Sequence, residues 1–152
     1  MKTKRVIKNL KIEELQAFIK GQEVWRRCPY FKIKYEVSNL GNYRNRSTKR
    51  LLKAQESSNG YLLYYPNING KNFGKLAHRL VSLAFYEMSE SLEVNHIDLD
   101  KKNNNLLNLE PATKRENTDH AMQYKRYDQL KKIKDNEAIR YIDGRKVVLP
   151  IV

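Results

Sequence analysis

The chain has 152 residues, with 30 Lys and Arg against 17 Asp and Glu, a net charge of +13. That size holds one ordinary domain or two small ones with thin cores, which speaks against a large pocket and a small-molecule substrate. The apolar run Leu80 to Tyr86 is far short of the ~18 residues of a membrane span, the start MKTKRVIKNLKIEEL lacks a signal peptide's apolar core, and Cys28 is the single cysteine, so the expectation is a soluble, cytoplasmic protein without disulfides or structural zinc.

The charge is unevenly spread. Residues 1–80 carry 18 Lys and Arg against 5 Asp and Glu, residues 81–120 carry 4 against 8, and residues 121–152 carry 8 against 4. Basic flanks around a less basic centre suit a polyanionic partner held at the sides and acted on in the middle.

In chain order, Ile12, Leu15, Phe18 and Ile19 recur at helical spacing, and Gly21 ends that helix. A region rich in Tyr, Val, Ile and Leu follows, broken by turn signals at Asn39-Leu40-Gly41, Ser58-Asn59-Gly60 and Asn69-Gly70. Short antiparallel strands are expected at Tyr35–Val37, Leu51–Lys53, Tyr61–Tyr65 and Phe73–Leu76, the last two joined as a hairpin at Asn69-Gly70. Arg44, Arg46, Lys49, Arg50 and Lys53 lie on or between these strands, interleaved with Tyr43. Leu80, Val81, Ala84 and Phe85 then mark a buried helix. Two short apolar pieces around His96 and Leu109 flank a loop crowded with Asn and Asp; Asn tolerates left-handed backbone and bonds its own main chain, so a tight, internally hydrogen-bonded loop is expected. Thr113 and Glu116 form a Thr-x-x-Glu capping box opening a helix to about Lys125, which the tail is expected to extend before a small strand-like piece after Asp143-Gly144. The order strand, loop, strand, helix is legible, and the fold class is α+β.

On the last helix Asn117, His120, Ala121 and Tyr124 share one face by their offsets. Asn95 and His96 would face that helix from the preceding strand. Strand alternation sends adjacent side chains to opposite sides, so a bulge or a strand end is required if both reach one site.

The segment VNHIDLDKKNNNLLNLEPATKRENTDHA resembles the HNH endonuclease motif of phage and intron-type homing endonucleases, in which a strand His, a loop-closing Asn and a helix His or Asn form a ββα-metal (His-Me finger) fold. His96, Asn108 and Asn117 stand in those places. The preceding HRLVSLAF resembles the helix that leads into this motif, and EVWRRCPYFKIKYEVSNLGNYRNR, on to GYLLYY, resembles the nuclease-associated modular DNA-binding motif at the N-terminus of such enzymes. The resemblance implies four regions: a basic arm with a short helix (1–22), a β-rich DNA-binding region (23–76), the HNH nuclease core (77–125) and a basic tail (126–152). It also implies double-stranded DNA as partner, a phage or mobile-element setting, and one divalent ion, Mg²⁺ with Mn²⁺ able to replace it.

In that scheme His96 is the general base and Asn108 orients it. Asn95 and Asn117 are the metal ligands, Asn95 standing where relatives often have Asp, and Asp98 and Asp100 are nearby carboxylates that could compensate. His78 and His120 are additional candidates, His120 as an alternative to Asn117. Arg44, Arg46 and Arg50, with Tyr43, are the candidates for DNA contact. A non-catalytic DNA-binding protein on the same scaffold is the alternative reading, and monomer and dimer both remain open.

Overall fold

The computed structural model describes residues 7, 10–31, 34–132, 137–142 and 145–150, with side chains as far as residue 125. The chain divides into two compact units, Met1–Lys114 and Arg115–Val152.

The first unit begins with α1 (Ile12–Ile19), as its apolar spacing predicts. Arg26 ties this helix down by an ion pair to Glu14 at 2.5 Å, and the guanidinium lies 4.8 Å from the Phe85 ring centre. Three strands follow as an antiparallel sheet in sequence order: β1 (Trp25–Arg27), β2 (Tyr35–Ser38) and β3 (Tyr43–Asn45). β1 and β3 were not among the expected strands, because their Arg residues mask the period-2 pattern.

A second sheet orders β4 (Gln55–Glu56), β5 (Leu62–Tyr64) and β8 (Lys75–Leu76). Between β5 and β8 the chain extends into a small hairpin of β6 (Asn67–Ile68) and β7 (Lys71–Asn72). Its tip is Asn69-Gly70, with φ of +52° and +80°, the left-handed pair that this two-residue turn requires. The strand expected at Leu51–Lys53 does not form. Leu51 makes an isolated bridge to Arg44, Leu52 donates to the Tyr43 carbonyl, and the strand proper starts at Gln55. With Leu51 58% exposed, no buried face demands a continuous strand there.

α2 (Ala77–Phe85) buries eight of its nine residues, all but Arg79, as a helix at the centre of a small core must. It touches the N-terminal sheet, the second sheet and the strand pair that follows, so one helix organises the whole unit. Leu80, Val81 and Phe85 share the core with Val37, Tyr43, Tyr64, Leu106 and Leu109. Tyr43 is stacked between Tyr35 and Tyr64, with ring centres 5.3 and 5.1 Å away, and donates its hydroxyl to Cys28 Sγ at 3.2 Å.

β9 (Glu93–His96) and β10 (Leu109–Ala112) form a regular antiparallel ladder pairing His96 with Leu109 and Asn95 with Glu110. The connecting loop contains one 3₁₀ turn (Leu106–Asn108). Its left-handed residue is Leu99 at φ +65°. The asparagines and aspartates hydrogen-bond within the loop, giving the tight, internally bonded form expected. Tyr86 fastens its far end by donating to the carbonyls of Leu106 and Leu109.

α3 (Lys114–Lys132) starts two residues after β10 and continues past Lys125 into the tail, the extension expected there. The second unit holds nearly all of α3 and an antiparallel pair, β11 (Glu137–Ile142) and β12 (Arg145–Pro150), the latter being the strand foreseen after Asp143-Gly144.

Candidate active site around His96

His96 is the last residue of β9, where the ladder ends. Its ring is 6% exposed. Nε2 lies 3.1 Å from Asn104 Oδ1, and Asn104 Nδ2 donates to the Lys102 carbonyl at 3.2 Å. The second contact orients the carboxamide, because only its amide end can donate to a carbonyl. Oδ1 is therefore the atom facing the imidazole. An oxygen acceptor there requires a proton on Nε2, which leaves the Nδ1 lone pair as the basic position of the neutral ring.

Asn104 is held in turn by the N-terminal region. It is 4% exposed and lies against Gly41, whose φ is +90°. A Cβ at residue 41 would sit 2.9 Å from Asn104 Cβ, closer than real side chains approach. Tyr64 donates to the Gly41 carbonyl at 2.9 Å, and Leu106 N donates to the Asn39 carbonyl at 2.7 Å. The turn signalled by Asn39-Leu40-Gly41 thus supports the loop that orients the histidine. Lys102 adds an ion pair to Glu56, and Lys101 donates to the Asn59 carbonyl while lying 4.7 Å from the Tyr61 ring centre.

His78 packs edge-on against His96, ring centres 5.2 Å apart, and Tyr61 covers both rings at 5.0 and 6.1 Å. Burial, reinforced by the charges of His96 and Arg79, pushes the His78 pKa down from 6.5 to about 3. His78 is therefore neutral at physiological pH, and its Nδ1 is buried without a hydrogen-bond partner among the described residues. The side chain packs in the core beside His96.

Asn108 closes the loop. Its Nδ2 donates to Asp98 Oδ1 at 2.8 Å and to the Asn103 carbonyl at 2.9 Å, its Oδ1 accepts from Asp98 N, and its carbonyl accepts from Ile97 N. Its reach to the imidazole runs through this loop, while the direct contact belongs to Asn104. Asp98 also accepts from Asn103 Nδ2 and from Asp100 N. Desolvation opposes its ionisation, but those carboxamide and amide donors and the nearby His96 outweigh it and hold the carboxyl below its ordinary range. Asp100 in turn accepts from Lys102 N. Both aspartates are turn-formers here.

Asn95 lies on the opposite face of the ladder from Val94 and His96, as alternation requires. It is 5% exposed, and Nδ2 donates to Glu110 Oε1 at 2.8 Å. Asn117 and His120 lie three residues apart on α3, hence on one face, and His120 Nδ1 is buried without a hydrogen-bond partner among the described residues. No group of three or more His, Cys, Asp or Glu among the described residues is arranged to hold a metal ion. What Asn95 offers is a hard carboxamide oxygen with the Glu110 carboxylate hydrogen-bonded behind it, a donor type that suits Mg²⁺ or Mn²⁺ with water and phosphate completing the shell.

Among the proposed DNA contacts, Tyr43 is corrected. It is 0% exposed in the aromatic stack, and a side chain without surface cannot reach a groove. Burial raises its hydroxyl pKa far above the ordinary value, with Cys28 contributing further. Arg44 pairs with Glu36 at 2.8 Å and stacks over Trp25, its guanidinium 3.8 Å from the ring centre. Arg46 lies 4.0 Å from the same Glu36, and Lys49 3.1 Å. Arg50 is exposed, makes no ion pair among the described residues, and lines an open groove of about 560 Å³ with Asn45, Lys53, Tyr65 and Asn67.

Asn104, Tyr61 and Glu110 were missed in the sequence. Asn104 stands among four similar asparagines, and Glu110 gains meaning only through its register with Asn95. No helix among the described residues is long and apolar enough to cross a membrane.

Two family models match successive segments of the chain. The NUMOD4 motif matches residues 23–64 and the HNH endonuclease model matches residues 75–119. An uncharacterized HNH endonuclease of Acanthamoeba polyphaga mimivirus is 37% identical over 110 residues, 68% of this chain, which spans only 27% of that relative's length. DNA endonuclease I-HmuI of Bacillus phage SP01 is 31% identical over 123 residues, 76% of this chain and 70% of that protein. A solved structure described as DNA binding and cleavage by the HNH homing endonuclease I-HmuI superposes with a TM-score of 0.62 at 30% identity, covering 84% of this chain and 78% of that one.

Proposed function

The chain belongs to the HNH endonuclease family, and we propose that it hydrolyses phosphodiester bonds of double-stranded DNA with a divalent cation, Mg²⁺ or Mn²⁺. The observation that carries this reading is His96 itself: a strand-end imidazole whose Nε2 proton is committed to Asn104, leaving Nδ1 to accept a proton. In the proposed reaction Nδ1 takes the proton of the attacking water. Asn104 fixes ring and tautomer, neutral His78 adds no second positive charge beside the imidazolium that forms, and Asn108 keeps the loop closed. Asn95 and Asn117 are the residues proposed to hold the cation. Bound, it supplies Lewis-acid stabilisation of the phosphate and the leaving oxygen.

The strongly basic N-terminal half would hold the duplex, with Arg50, which makes no ion pair among the described residues, and with Arg44 and Arg46 contributing beyond their pairing with Glu36. The test is conversion of supercoiled plasmid to nicked or linear forms with Mg²⁺ or Mn²⁺, abolished by a chelator. The neutral Asn95 favours one rival, a binding-only protein, which would retain DNA in a salt-sensitive manner and give no product with either ion.

A further inference from the structure

We propose that Glu110 supplies the negative charge that the metal site lacks at Asn95, making it a positioning and charge-donating residue for the cation. This rests on the reading of Asn95 as a metal-binding residue and deepens it.

The ladder places the two residues directly opposite each other, and the Asn95 carboxamide donates through Nδ2 to Glu110 Oε1 at 2.8 Å. An ionised carboxylate can only accept hydrogen bonds, so it draws the amide end of Asn95 toward itself and turns Oδ1 away. Oδ1 is the hard oxygen that Mg²⁺ and Mn²⁺ prefer. At 5% exposure Asn95 has little solvent to compete for that orientation.

The charge is also free to act outward. Glu14, Glu36 and Glu56 each pair with Arg or Lys, yet no cationic side chain among the described residues pairs with Glu110, in a chain of net charge +13. The hydrogen bond its carboxylate makes among the described residues is to a neutral group, and the half-buried position reduces screening by solvent. A carboxylate behind a neutral ligand polarises it and adds a full negative charge beside the ion, the arrangement by which residues behind metal ligands tune affinity.

The consequence is that the DNA-free protein binds Mn²⁺ through this pair. Titration of Mn²⁺ into the full chain, followed by loss of the free-ion EPR signal, measures it. Glu110→Gln keeps an acceptor oxygen for Asn95 and removes only the charge, so binding should weaken about tenfold, within the ~10 to 100-fold expected for partners behind metal ligands. Adding Asn95→Asp to Glu110→Gln should restore affinity to at least the parent level, which a loss of folding would not allow. Equal affinity in parent and Glu110→Gln, or failure of Asn95→Asp to rescue, overturns the inference. A parent that binds no Mn²⁺ without DNA overturns it as well, yet leaves the hydrolytic reading standing if plasmid is still cut; absence of cleavage with either ion is the separate failure of that reading.

Discussion

Replacing Asn104 by Ala removes the hydrogen-bond partner of His96 Nε2, along with the contact to the Lys102 carbonyl. The imidazole N–H is then left in a pocket where its residue is 6% exposed. Leaving such a buried donor without a partner costs about 1–3 kcal/mol. The ring escapes part of that cost only by rotating or by changing tautomer, and either move takes the basic Nδ1 from its working position. At about 1.4 kcal/mol per tenfold in rate, the chemical step should slow by roughly 5 to 150-fold. DNA affinity should be unchanged, because Asn104 is 4% exposed and offers no surface to a duplex. The assay is single-turnover cleavage of plasmid at saturating protein, with binding measured in parallel in Ca²⁺, and with a urea transition to show that the variant is folded at the assay temperature. A rate within twofold of the parent would refute the orienting role of Asn104, and an equal loss of binding and rate would show that the effect lies elsewhere.

Other expectations follow from the same geometry. His78 resists in the folded state a proton that the unfolded chain accepts near 6.5, so its contribution to stability is complete above that pH and declines as pH falls toward about 3. The slope should approach 1.4 kcal/mol per pH unit, or about 2 kcal/mol between pH 6.5 and 5, and His78→Leu should flatten it in urea titrations; an unchanged slope contradicts the buried neutral ring. Gly41→Ala places a side chain at φ +90° and 2.9 Å from Asn104 Cβ, and should cost about 2–4 kcal/mol in a denaturant transition. Arg50→Ala should reduce the salt dependence of DNA binding by about one unit of slope. Arg44→Ala should instead lower stability by about 1 kcal/mol, through loss of the Trp25 stack and the Glu36 pair, with a smaller effect on that slope.

The helix of residues 77–85 and the strand pair around His96 were legible because both bury apolar residues at regular spacing. The Asn69-Gly70 turn was legible because few sequences other than Asn-Gly satisfy two left-handed residues in a row. Tyr43 misled for a physical reason: an aromatic residue between arginines resembles a nucleic-acid surface, but strand alternation sends Arg44 to one face and Tyr43 into the core. Asn104 could not be singled out, since which asparagine of a crowded loop turns inward depends on the approach of Gly41, 63 residues earlier in the chain. Glu110 depended likewise on ladder register, which a four-residue strand does not announce.

The central claim is that His96 does chemistry and does not merely fill the core. Single-turnover cleavage by His96→Ala, with DNA binding measured on the same samples, tests it most directly. A fall of about 10² to 10⁴-fold in rate at unchanged affinity is the expected result for loss of a general base. Cleavage at the parent rate by a variant that still folds and binds DNA would contradict the account.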